Sequence, residues 1–205
     1  MTKTISRLYD SYTEAQRAVT DLEAAGVPHS NISIVANNSD EWYGNDSKVD
    51  RDHDGKDDRA EGARTGAGIG AGVGGAAGLL TGLGLLAIPG VGPVVAAGWL
   101  VATAVGTAAG AATGGIVGGL TQMGVSQEDA DVYAEGVRRG GTLVSARVED
   151  AQATQYEAVL DRSAVNIQDR GAAYRKSGWT SFDPAATPYG ADEVRKERQA
   201  YGDLT

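Results

Sequence analysis

Apolar and polar positions recur with clear periods at both ends of this chain and lose them in the middle. Thr4-Ile5-Ser6-Arg7-Leu8-Tyr9 is a short β-prone segment. Ser11-Tyr12-Thr13-Glu14 has the spacing of a capping box, in which the serine hydroxyl accepts from the third helical N–H and the glutamate reaches back. Ala15, Ala18, Val19, Leu22 and Ala25 follow at intervals of three and four, which predicts one apolar helix face. Gly26 and Pro28 stop that helix, and Asn31-Ile32-Ser33-Ile34-Val35-Ala36 reads as a second strand.

The far side of the chain repeats this grammar. Ser126-Gln127-Glu128-Asp129 opens a helix carrying Ala130, Tyr133 and Val137, which Gly140-Gly141 ends. Thr142 to Val148 is the clearest strand, Asp150 caps a helix with Tyr156, Val159 and Leu160 inward, and Ala164-Val165-Asn166-Ile167 is a last short strand. With the middle set aside, the order is βαβ, a short helix, then βαβ. The expected class is α+β: a ferredoxin-like split βαβ domain with an insertion between its second and third strands. Each half is too small to bury much apolar surface alone, so the two should pack together.

Between Arg64 and Glu128 no residue is charged, and residues 62–124 hold 20 of the 30 glycines. Gly66, Gly70, Gly74, Gly78 and Gly82 recur at every fourth position, as do Gly98, Ala102, Gly106, Gly110, Gly114 and Gly118. Such a step lines one helix face with small residues and lets two backbones approach closely. The spacing predicts a glycine-zipper hairpin of two helices, 65–87 and 94–122, turning at Pro89-Gly90-Val91-Gly92-Pro93. At 1.5 Å per residue these helices would be about 34 Å and 43 Å long, enough to cross a ~30 Å hydrocarbon core. Their outer face (Leu79, Leu80, Leu83, Val94, Val95, Trp99) carries no charge. Burial in a membrane or in a homo-oligomer would satisfy it equally. Gly70 to Gly75 matches GxGxxG, but no strand precedes it and no Lys-Ser/Thr follows, so it is not read as a nucleotide site.

Composition narrows the chemistry. The 205 residues include no cysteine and two histidines, which removes disulfides, thiolate nucleophiles and Cys-ligated metals, and argues against a histidine triad. A net charge of −9 argues against nucleic acid as a partner. The first sixteen residues lack an apolar h-region, so no secretory signal is expected. No nucleophile–base pair or general acid stands out, and the chain is expected not to be an enzyme, with no catalytic residue and no organic cofactor.

Residues 40–61 form an acidic linker of nine acids and four bases. Asp50 to Glu61 resembles a calcium loop. Asp50, Asp52 and Asp54 occupy ligand positions one, three and five, Gly55 the sharp turn, Lys56 the carbonyl position, Asp58 the ninth and Glu61 the bidentate twelfth. Alternating carboxylates suit a hard cation. Asp57 stands where an apolar residue is usual, and neither an amphipathic entering helix nor a second loop is evident. The expected affinity for Ca²⁺ is therefore weak, about 10⁻⁴–10⁻³ M. A solvated linker that binds nothing is the competing reading. The tail, 171–205, carries Trp179, Phe182, Tyr189 and Tyr201, read as anchors of an ordered latch, with a short charged helix from Asp192 to Tyr201.

Taken together, Leu8-Tyr9-Asp10-Ser11-Tyr12, Ala15 to Val19, Asn31 to Ala36, Leu86 to Pro93 and Tyr133-Ala134-Glu135-Gly136-Val137-Arg138-Arg139-Gly140-Gly141 resemble the bacterial general stress protein 17M-like, or heat-induced stress protein, family. The resemblance runs from residue 1 to about 170 and implies a non-enzymatic, stress-associated protein. The expected organisation is 1–39 and 125–170 as the two domain halves, 40–61 as linker, 62–124 as zipper hairpin and 171–205 as tail. The expected role is an interaction protein whose hairpin joins a membrane or self-assembles, modulated by calcium, at the cell membrane with a cytoplasmic head or in the cytoplasm. The alternative is a soluble oligomeric module that senses a small ligand.

Overall fold

The computed structural model describes residues 2–43, 83–101 and 115–202. In chain order the elements are β1 (Thr2–Tyr9), α1 (Tyr12–Ala24), β2 (Ile32–Asn37), β3 (Gly84–Ile88), β4 (Gly92–Gly98), α2 (Gly115–Gln122), α3 (Gln127–Arg138), β5 (Thr142–Glu149), α4 (Ala153–Leu160), α5 (Ile167–Lys176) and α6 (Ala191–Gly202). The five strands form one sheet in the order β1-β5-β2-β4-β3, and every neighbouring pair is antiparallel.

Local chemistry sets the helix boundaries. Ser11 holds an extended backbone and its Oγ accepts from the Glu14 N–H, while its own hydroxyl donates to the Glu14 carboxylate at 3.0 Å. Ser126 caps α3 through the Asp129 N–H in the same way. Both helices close with one motif. Val27 N–H bonds Leu22 O at 3.0 Å, and Gly141 N–H bonds Gly136 O at 2.9 Å, so the last carbonyls are satisfied as the chain reverses.

The sheet is covered on both faces. α1 and α4 bury Val19, Leu22, Tyr156 and Leu160 against Ile5, Ile34 and Val144 on one face. On the other, α2 and α3 bury Ile116, Leu120, Tyr133 and Val137 against Leu8, Val35, Val94 and Leu143. β2 is consequently buried at all six positions. The polar groups this encloses are paired: the Ser6 and Ser145 hydroxyls lie 2.9 Å apart across β1 and β5, and Ser33 Oγ donates to Ala97 O at 2.9 Å. Tyr9 OH donates to Leu160 O at 2.9 Å and ties β1 to the end of α4.

Two expectations need correcting. Residues 84–98, assigned from the glycine spacing to two helices and their turn, form the β3–β4 hairpin instead; the turn stays in place, closed by Val91 N–H to Ile88 O at 3.1 Å. β4 pairs with β2 from Ser33↔Gly98 to Asn37↔Val94. Without it the buried edge of β2 would carry unpaired backbone groups, a larger cost than the helical preference of an uncharged Gly/Ala/Val run. Residues 99–101 are helical, and α2, of eight residues, is about 12 Å long. Among the described residues no helix is long and apolar enough to cross a membrane. The second correction is at 164–167, where no strand forms. Val165 N–H makes one bond to Leu8 O at 2.8 Å, and Asn166 then caps α5 by accepting from the Gln168 and Asp169 N–H groups. That cap draws Ile167 into a helix.

Candidate functional site

Among the described residues a dense cluster of charged side chains lies where α3 ends. Glu135 is fully buried, with no exposed surface. The helix period sets Arg138 and Arg139 three and four residues on, so both reach back to it: Arg138 Nη1 lies 3.2 Å and 3.3 Å from its two oxygens, and Arg139 Nε donates at 2.6 Å. The tail crosses this pair. Arg138 Nη2 donates to Thr187 O at 2.9 Å and its guanidinium lies 4.6 Å from the centre of the Tyr189 ring. Arg139 sits 4.3 Å from the Tyr174 ring and bonds Glu197 at 3.3 Å. Arg198, on α6, donates from Nε to Gly140 O at 2.9 Å and pairs with Asp40. Arg170, on α5, forms a two-pronged pair with Asp10 at 2.8 Å and 2.9 Å and lies 4.0 Å from the Tyr201 ring.

Four arginines thus face four carboxylates, Glu135, Glu197, Asp10 and Asp40, and the cluster is balanced in charge. Burial acts to lower the Arg139 pKa, but the hydrogen bond it donates to Glu135 and the charges of Glu135 and Glu197 outweigh it, and the net direction is upward. Burial pushes the Tyr174 phenol up as well, against the opposing pull of Arg170 and Arg139. Tyr133, whose OH donates to Ser6 O at 2.7 Å, is pushed up to about 12 by burial. None of these shifted groups changes charge near neutral pH. The arrangement is suited to fastening the tail rather than to moving protons. A groove of about 580 Å³ opens beside the cluster, lined by Asp10, Glu14, Asn166, Arg170, Arg198 and Tyr201.

A second polar device sits where residues 43 and 83 meet. Trp42 Nε1 donates to Asn37 O at 2.7 Å, and its ring packs 4.6 Å from Tyr12. Asn38 brackets Tyr43, accepting from its N–H at 3.0 Å and donating to its carbonyl at 3.1 Å. Tyr43 OH donates to Leu83 O at 3.4 Å. Residues 43 and 83 are therefore held together at one place beside the sheet. Leu100 and Ile116 are buried with Ile88 in the cluster on the other face of the sheet.

The calcium candidates Asp50, Asp52, Asp54, Lys56, Asp58 and Glu61 lie outside the described residues, as do Gly66, Gly70, Gly74, Gly78, Gly82, Ala102, Gly106, Gly110 and Gly114. Among the described residues no three or more His, Cys, Asp or Glu side chains form a group fit for a metal ion. Gly98, read as a zipper position, ends β4 with φ +91°, and a Cβ there would lie 2.2 Å from Ile32 O. Its smallness admits the backbone of β2, not a second helix. Gly118 is buried inside α2. Sequence reasoning missed the clasp of Glu135, Arg138 and Arg139. The spacing of opposite charges at three and four residues is its only signal in the sequence.

No curated protein and no solved structure matches this chain. The resemblance read from the sequence reaches about residue 170, whereas the family match spans residues 4–83 and ends at the threshold of the β3–β4 hairpin. Those residues match the model described as the heat induced stress protein YflT domain, in agreement with the resemblance to the heat-induced stress protein family carried by the sequence motifs.

Proposed function

We propose that this stress protein is a non-enzymatic interaction module, in which the helix-covered sheet acts as a rigid frame that presents the uncharged glycine-rich segment to a membrane or to other copies of itself. The observation that carries the reading is the junction at residues 43 and 83: Trp42, Tyr43, Asn37 and Asn38 hold these two residues at one point of the frame. That junction holds together the two flanks of residues 44–82, the stretch in which the 63-residue uncharged run begins. The antiparallel β1-β5-β2 core, with α1 and α4 on one face, agrees with the ferredoxin-like reading of this frame, and β3–β4 with α2 and α3 are the additions to it. The calcium reading rests on the order of Asp50 to Glu61 alone, and places the cation at the base of the same segment. Small-ligand sensing draws on the groove beside Arg170, but its two arginines already serve Asp10 and Asp40.

Fractionation of untagged protein, with carbonate extraction of the membrane pellet, tests the proposal. Retention in the washed pellet supports membrane association, and a discrete soluble oligomer supports self-assembly. A soluble monomer before and after stress would sink both. Repeating the fractionation with calcium and with a chelator tests the loop, since an unchanged distribution removes calcium from the model.

A further inference from the structure

The sheet has two edges, and the chain treats them differently. β1, at one edge, carries Lys3 and Arg7, which pair with Glu157 and Asp161, and the 161–166 segment bonds to it through Val165 N–H and Leu8 O. Charges and a crossing segment are ordinary ways of keeping another strand from adding to an edge. β3, at the other edge, reads Gly84-Leu85-Leu86-Ala87-Ile88. It has no charge and no proline, and its five-residue register with β4 is unbroken. Leu85 is 39 % exposed and Ala87 is exposed too. Among the described residues no strand pairs with its outer side.

We infer that β3 is an assembly edge, and that its occupant is β3 of a second copy of this chain, added antiparallel about a two-fold axis. The outer N–H and C=O groups of an edge strand call for another strand. With Leu86 on the axis, Leu85 of each copy faces Ala87 of the other, a large residue against a small one on the exposed face, while Leu86 meets Leu86 on the opposite face. A strand without charge meets no like-charge repulsion from its own copy, and it offers a foreign partner nothing electrostatic to recognise. The contact is small. Five residues span about 17 Å, and the strand pair buries less than the ~1,200 Å² usual in stable complexes. The dimer is therefore weak and concentration-dependent. This inference rests on β3 alone and stands apart from the role given to the glycine-rich segment.

Sedimentation equilibrium of the full chain from micromolar to millimolar concentration tests it, with hydrogen exchange of the β3 amides measured in parallel. The expected result is a reversible monomer–dimer equilibrium in which β3 amides become protected as the dimer forms. Leu85→Lys should raise the dissociation constant at least tenfold with little change in melting temperature, since the side chain lies at the surface. Ala87→Lys is the second variant, to be used if Leu85→Lys melts early. A monomer at every concentration, or β3 amides already protected in the monomer, would overturn the inference. A dimer that neither lysine weakens would do so too, while leaving the glycine-rich segment as a separate cause of association.

Discussion

Glu135 is the residue on which the clasp turns. A carboxylate with no exposed surface persists only when its charge is met, and Arg138 and Arg139 meet it from one helical turn away. Removing one member of such a set leaves the others buried and unbalanced, which is worse than never having had the set. Glu135→Ala is expected to lower stability by roughly 3–5 kcal/mol, measured by chemical denaturation. A loss under about 1 kcal/mol, the scale of an exposed pair, would show that the two arginines find other partners. Glu135 was visible in the sequence as one more acid on an amphipathic helix. Its burial was not, because the two arginines that meet it are themselves held by the tail, more than forty residues away.

Among the elements, the capped helices were legible because their signals are local. Ser11 and Ser126 lie within four residues of the groups they satisfy, and the stripe of Ala15, Ala18, Val19 and Leu22 is a property of one short window. The β3–β4 hairpin was not legible, because an uncharged run of Gly, Ala, Val and Leu satisfies a helix or a buried strand equally well until its neighbour is known. Gly98 separates the two readings by experiment. In a zipper, alanine is tolerated, as the Ala102 in the same series suggests. In the hairpin, a Cβ at Gly98 meets Ile32 O at 2.2 Å with the backbone at φ +91°. Gly98→Ala should therefore cost about 3 kcal/mol or more, read from the denaturant midpoint. A neutral result would return these residues to a helix.

For the whole molecule, the tail is part of the fold. Val194 on α6 is fully buried, and it lies so near Gly140 that a Cβ there would come within 2.7 Å of it. Phe182 packs against the α2–α3 side of the core, and Tyr174 gathers Trp179 and Tyr201 around it. Val194→Asp places a charge in that seat and should release α6, raising the rate of proteolytic cleavage within residues 177–190 at least tenfold while β1, β2 and β5 stay protected. An unchanged cleavage pattern would mean that the rings and ion pairs hold the tail without this contact. The sequence by itself determined the Ser11 and Ser126 helix caps, the mixed α+β class, the family resemblance and the 63-residue run without charge, since each is written in neighbouring residues or in composition. Tertiary structure alone decided that 84–98 completes a sheet, that both faces of this sheet are covered, and that Glu135 is buried beneath arginines held by the tail. In each case the deciding partner is distant in sequence, and the cost being avoided, an unpaired strand edge or an unmet buried charge, exists only once the chain has folded.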